Sequence, residues 1–285
     1  MVCDYSYIGK ILTNANSVGK TDAIDQPNDN NSDVHMSGEN DNQTSPSVDK
    51  LDRAPSGPLA ESVAGLLLAG GEGSRFDDVE HKLVVNFRGR PLAAWALAAA
   101  LEAKRSGELA AVYVVTGAVS IRPVLEWIAD KTLDESGEPN EPTRRHDAER
   151  NTLDGDSTLA EAIGVTIVVN DRWAHGQATS LAAGVAQAAA DGHAAVVVGL
   201  ADQPFVEADV WRAIAGADSP IAVASFDGKR RPPVKLHSRI WSLLPRAGDE
   251  GARSLLRLRP DLVSEVPCIG NPIDIDTMED LREWS

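Results

Sequence analysis

One stretch, Val63–Lys82 (VAGLLLAGGEGSRFDDVEHK), limits what this chain can fold into more than any other. It opens on an unbroken apolar run, Val63–Ala69, that stops at glycine. A run this short, with no polar alternation, suits a strand covered on both faces, as in a parallel sheet. The chain then turns through Gly70-Gly71-Glu72-Gly73-Ser74-Arg75. Three glycines in four positions let the backbone turn tightly and bring its N–H groups close to a ligand. Consecutive exposed N–H groups form a concavity that attracts anions. Arg75 and Lys82 add two cations on the same side. Strand, glycine loop and cations together suit a triphosphate. The spacing matches neither G-x-x-x-x-G-K-[ST] nor G-x-G-x-x-G, because Phe76 stands where the last glycine of the second pattern would fall.

Composition narrows the partners. A net charge of −16 disfavours nucleic acid and anionic membrane surfaces, which call for a basic face. The two cysteines, Cys3 and Cys268, imply no disulfide framework and lack zinc-site spacing. No apolar run approaches the ~20 residues of a membrane helix, and the N-terminus lacks the pattern of a secretory signal. A cytoplasmic location is expected by elimination.

Residues 1–60 are polar and rich in Asn, Asp and Ser. Such a segment buries too little apolar surface to offset its ordering entropy, so a disordered tail is expected. Residues 61–285 form the expected domain. Within it, Leu92–Lys104 reads as a buried helix, Ala110–Thr116 as a strand, and Ser120 as the start of a helix to about Asp130. Residues 131–160 are polar and read as a surface insertion. Strands follow at Val165–Val169, Ala194–Leu200, Pro220–Ser225, Arg231–Leu236, Leu262–Val266 and Pro272–Ile275. Helices are expected to about Ala190, over Glu207–Ala215, near Ser238–Leu244 and Glu250–Leu258, and over Thr277–Trp284 with Thr277 as its cap. Strands alternating with helices imply a mostly parallel sheet covered on both faces, with ligands outside the carboxyl ends of the strands.

The acidic residues fall where that rule puts a ligand. Asp202 directly follows the apolar strand Ala194–Leu200, where a carboxylate can hold a hard cation such as Mg²⁺. Asp274 and Asp276 are two apart, so on an extended chain they face the same side. A plainer reading makes Asp202 a turn cap and Asp276 a helix cap. No Ser/His/Asp triad or CxxC site is found.

The pattern L-A-G-G-x-G-x-R-F followed by Lys82 resembles the opening signature of the MobA-like nucleotidyltransferases. Leu200-Ala201-Asp202-Gln203-Pro204 resembles that family's metal motif, with alanine where glycine is common, and the D-I-D-T-x-E-D-L ending resembles the close of its domain. The resemblance spans about Val63 to Trp284. It implies a Rossmann-like three-layer α/β/α sandwich of the nucleotide-diphospho-sugar transferase type. It also implies NMP transfer from an NTP to a phosphate acceptor with Mg²⁺, and release of pyrophosphate. Carried onto this chain, it makes Arg75, Lys82 and Asp202 catalytic, and Asp202 and Asp274 the metal ligands, with Asp276 the alternative to Asp274. Leu68, Ala69, Gly70, Gly71, Gly73, Ser74, Arg75 and Lys82 would meet the nucleotide. So would Gly176, Thr179 and Ser180, although a helix cap explains Thr179 or Ser180 as well. Gly248-Asp249-Glu250-Gly251-Ala252-Arg253 resembles the G-D-x-G-A-R motif of the molybdenum cofactor cytidylyltransferase-like branch. With the basic run Lys229-Arg230-Arg231, it points to Arg231 and Arg253 for the acceptor. The front motif L-A-G-G goes with guanine and the rear motifs with cytosine, so CTP is favoured beside GTP. The implied acceptor is molybdopterin, with a molybdenum hydroxylase as a further partner. Three alternatives stand beside this reading: transfer to another acceptor such as a sugar phosphate, a non-catalytic nucleotide-binding module, and a cofactor chaperone.

Overall fold

In the computed structural model, residues 62–71, 81–117, 119–135 and 152–285 are described. Residues 1–61, including the expected tail, lie outside them. So do 72–80, which hold Gly73, Ser74 and Arg75, and most of the expected insertion, 136–151.

The apolar runs become a seven-stranded sheet. Its strands are β1 (Val63–Ala69), β4 (Ala111–Thr116), β5 (Thr166–Val169), β6 (Ala195–Leu200), β7 (Ile221–Phe226), β8 (Lys229–His237) and β9 (Val263–Pro267). The short strands β2 (Asn86–Phe87) and β3 (Arg90–Pro91) make a separate ribbon. The sheet order is β5-β4-β1-β6-β8-β7-β9. Strand β8 runs antiparallel to both its neighbours, and every other pairing is parallel.

Alternate residues of β1 serve opposite layers, as the two-residue period of a strand requires. Leu67 and Ala69 pack with α1 (Leu92–Arg105), α2 (Arg122–Glu135), α3 (Thr152–Ala162) and α5 (Ala208–Ala215). Ala64, Leu66 and Leu68 pack with α4 (Gln177–Ala190) and α6 (Arg253–Leu258). Both faces are therefore apolar, which is why β1 shows no polar alternation. A third, smaller core joins Phe87, Leu92, Ile275 and Leu281, tying the ribbon to α7 (Met278–Trp284). Ala60–Ser285 forms one compact unit. Among the described residues no helix is long and apolar enough to cross a membrane.

Two expectations need correction. The insertion expected over 131–160 is helical at both ends, because α2 continues to Glu135 and α3 begins at Thr152. Leu159, Ala160 and Ile163 supply the apolar stripe that holds α3 on the core. Pro272–Ile275 is irregular and not a strand. It is fixed by Ile275 N–H donating to the Asp202 carbonyl at 3.0 Å and by burial of the Ile275 side chain.

The connection from β1 leads to β4 on one side, whereas the connection from β5 crosses to β6 on the other. The sheet order thus reverses at β1, and a crevice opens outside its carboxyl end.

Candidate active site

That crevice is a cleft of about 410 Å³. Leu68, Ala69, Gly70 and Gly71 line it from the end of β1, Lys82 and Asp202 from its floor, and Trp173, Gly176, Gln177, Ser180 and Asp249 from the far wall. A volume in this range suits a nucleotide-sized ligand.

The first wall depends on close backbone contact. A Cβ on Gly117, just after β4, would lie 2.6 Å from Trp173 Cβ and 2.8 Å from the Gly70 carbonyl. Only glycine lets these three segments meet. The chain returns from the glycine turn through His81, whose Nε2–H donates to the Gly71 carbonyl at 3.0 Å. Lys82 follows.

Lys82 Nζ donates to Asp202 Oδ2 at 2.7 Å and to Asp276 Oδ1 at 2.8 Å. Burial alone would lower the lysine pKa, but the two carboxylates outweigh it and hold the ammonium above its ordinary range. Asp274 lies close enough to feel both neighbouring acids. Burial first, then the charges of Asp202 and Asp276, push its carboxyl up to about 7. Asp276 is not the cap of α7: the Thr277 hydroxyl accepts from Asp280 N–H, and the Asp280 carboxylate accepts from Thr277 N–H. The Asp276 side chain is thereby left for Lys82.

A divalent cation fits this donor set. Asp202 Oδ1 and Asp274 Oδ1 are buried without a hydrogen-bond partner. Among the described residues, no three His, Cys, Asp or Glu side chains are arranged to cage a metal on their own. Mg²⁺ asks for less, since it takes one or two carboxylates and completes its shell with phosphate oxygens and water.

The far wall is built by a loop docking on the start of α4. Ala178 N–H donates to the Gly248 carbonyl and Gly248 N–H to the His175 carbonyl, both at 2.9 Å. Gly176 has φ +99°, and a Cβ there would sit 2.4 Å from the Gly248 carbonyl carbon. Any side chain would lift the loop away. Ser180 reaches the cleft and also accepts from Asn170 Nδ2 at 2.9 Å. Thr179 is differently placed: it is buried and absent from the cleft lining, and its hydroxyl bonds Asn170, Arg172 and Gly176. It holds the entrance to α4 together.

Trp173 and Gln177 lie in the 173–180 segment that the family resemblance sets around the base and ribose, and Asp249 lies in the G-D-x-G-A-R motif. They enter the lining because the 248–251 loop folds back over residues some seventy positions earlier, and only the glycine at 176 hints at that contact.

The two arginines expected at the acceptor share one neighbourhood. Burial lowers the pKa of Arg253, the charge of Arg231 lowers it further, and Asp274 and Glu250 raise it. Arg230 points elsewhere and pairs with Glu265 at 2.8 Å on β9.

A family model described as the MobA-like NTP transferase domain matches residues 65–265. The chain belongs to the MobA-like NTP transferase family. Its class is therefore nucleotidyltransferase. The chain is also 38% identical over 110 residues to the purine catabolism protein PucB of Bacillus subtilis, a match covering 37% of this chain. That match spans 54%, about half, of PucB's length. Among solved structures, a nucleotidyl transferase from Methanothermobacter superposes with a TM-score of 0.55 at 19% identity, covering 78% of this chain and 95% of the other. Rv0371c from Mycobacterium tuberculosis superposes at 0.53 and 19%, covering 79% and 97%. The likeness to these two structures is one of fold: a mostly parallel sheet between helical layers.

Proposed function

We propose that the chain transfers NMP from an NTP, with CTP favoured over GTP, to a phosphorylated acceptor of the molybdopterin kind, releasing pyrophosphate. The observation that carries this reading is the Lys82 ammonium shared by Asp202 and Asp276 on the floor of a glycine-walled cleft, at the point where the sheet order reverses.

The chemistry asks little of a general base. A phosphomonoester acceptor is already largely dianionic at neutral pH, its second pKa being about 6. Its oxygen attacks the α-phosphorus, the bond to the bridging oxygen breaks, and the pyrophosphate leaves in line. Catalysis is then positioning and charge neutralisation. The Gly70–Gly71 turn offers backbone N–H groups, and Lys82 is the described cation beside it. Arg75 and the remaining loop residues Gly73 and Ser74 are assigned to the same task from sequence. Asp202, with Asp274 or Asp276, would hold Mg²⁺, which when bound would supply positive charge against the phosphate oxygens. Arg231 and Arg253 are assigned to the acceptor phosphate, with Arg253 at the start of α6.

The cytosine preference rests on the G-D-x-G-A-R segment, whose Gly248 and Asp249 stand against Gly176 at the far wall. A molybdenum hydroxylase as a further partner is assigned from the family resemblance alone. The polar tail at 1–60 and the remainder of the insertion are assigned no part in the chemistry.

Pyrophosphate release with each of the four NTPs, Mg²⁺ and molybdopterin tests this reading. The expected result is fastest release with CTP. Fastest release with GTP would overturn the base, and release only with a sugar phosphate would overturn the acceptor. No release with any phosphorylated acceptor would overturn the reaction.

A further inference from the structure

The sequence assigns Lys82 to the phosphates of the nucleotide, yet its ammonium sits between two carboxylates at 2.7 and 2.8 Å. Both contacts are well shielded: the side chains of Lys82, Asp202 and Asp276 are 12%, 19% and 30% exposed. Lys82 also lines the cleft itself. Both acids it bridges are candidates for the metal, Asp202 directly and Asp276 as the alternative to Asp274, and its single charge leaves the group short of cations. Asp202 Oδ1 and Asp274 Oδ1 remain buried with no hydrogen-bond partner.

We propose that Lys82 is an internal stand-in for the divalent cation. In the nucleotide-free protein its ammonium neutralises Asp202 and Asp276, and it leaves them for the nucleotide phosphates only when a divalent cation takes those carboxylates. This rests on the metal–nucleotide reading of the cleft. The physical reason is direct. A divalent cation on the free oxygen of Asp202 would lie on the same carboxylate as the ammonium and repel it strongly, and the lysine stem is flexible enough to swing its point charge away. The exchange keeps the buried acids neutralised at each stage, since uncompensated buried charge is costly. It also orders events: the clamp on the phosphates forms when metal and nucleotide are both present, so empty protein does not spend its cation on stray anions.

The competition makes an unusual prediction. Removing Lys82 should tighten the binding of a bare divalent cation. Mn²⁺ is the probe, titrated by electron paramagnetic resonance into full-length wild type, Lys82→Met and Asp202→Asn without nucleotide. The expected result is Mn²⁺ affinity at least about tenfold higher for Lys82→Met than for wild type, the repulsion of one nearby charge exceeding that margin. Equal or weaker affinity in Lys82→Met, with wild type still binding, overturns the stand-in role and leaves the metal reading intact. No Mn²⁺ binding by wild type or by Lys82→Met overturns the metal reading itself.

A second measurement uses wild type alone, in case Lys82→Met fails to fold. Acylation of Lys82 by acetic anhydride, read by peptide mass spectrometry, should rise several-fold on adding Mn²⁺. It should fall again on adding CTP. Unchanged or reduced acylation with Mn²⁺ overturns the stand-in role.

Discussion

The two ends of the central sheet each carry a cluster of polar and titratable side chains, in opposite condition. At the amino ends of the strands, Ser62, Tyr113, Asp191 and His193 form a chain of hydrogen bonds. The Ser62 hydroxyl lies 2.7 Å from His193 Nδ1, His193 Nε2 lies 3.0 Å from the Tyr113 hydroxyl, and that hydroxyl donates to Asp191 at 2.6 Å. Gln187 adds a further donor to Asp191 at 3.0 Å. At the carboxyl ends, Asp202 and Asp274 each keep a buried oxygen with no partner, and three acids face one ammonium. A titratable cluster alone therefore says little. The end that answers its own hydrogen bonds is architecture, and the end that leaves them unanswered is built for something that arrives.

The sharpest way to break this comparison is Asp202→Asn. At the unsatisfied end, losing one ligand charge should lower Mg²⁺-dependent turnover at least about a hundredfold. The variant should stay folded, because Asp276 still compensates the shielded Lys82 ammonium and one acid fewer shares the site. Thermal unfolding beside a turnover assay checks both parts, and an unfolded variant or normal turnover would contradict the comparison.

Asp274→Asn has a smaller effect with a definite sign. The folded-state pKa of Asp274 is raised to about 7, so the folded chain holds a proton that the unfolded chain gives up near pH 3.9. An acid raised in this way costs stability as pH climbs between those values, and the cost is complete above the upper one. The neutral amide should thus stabilise the metal-free protein at about pH 8, by at most roughly 4 kcal/mol, and by little below about pH 4. Urea unfolding at the two pH values decides it, and an equal effect at both would show that Asp274 is not under charge strain.

Tyr113→Phe is the converse, at the satisfied end. It removes a hydroxyl bonded to both Asp191 and His193 and should cost about 1–2 kcal/mol in urea unfolding. Turnover at a temperature where the variant is folded should stay within about twofold of wild type. A large loss of turnover there would mean that the two ends are not independent.

How much of this was legible in the chain depended on how local the cause was. The strand Val63–Ala69, the glycines after it and Asp202 after Ala195–Leu200 were readable, because a strand's end is marked by its own residues. Thr277 as the cap of α7 was readable for the same reason. The meeting of Lys82 with Asp276 was not, since it joins residues 194 positions apart through an irregular segment. The extended period at 272–275 suggested a strand, but nothing in those residues shows that they pair with no neighbour in the sheet. The helix at 152–162 was hidden because Leu159 and Ala160 sit among polar residues, so composition masked the spacing. Thr179 fits two roles by type, and only the three bonds of its hydroxyl separate them.

The central claim is that this cleft moves a nucleotidyl group, and the fate of label in the substrate tests it most directly. CTP labelled at the α-phosphorus or at the γ-phosphorus is incubated with Mg²⁺, acceptor and full-length protein. The account predicts α-label covalently joined to the acceptor and γ-label in pyrophosphate, in equal amounts. Label from the γ-position in orthophosphate or on the acceptor, with α-label left in the nucleotide, would contradict it.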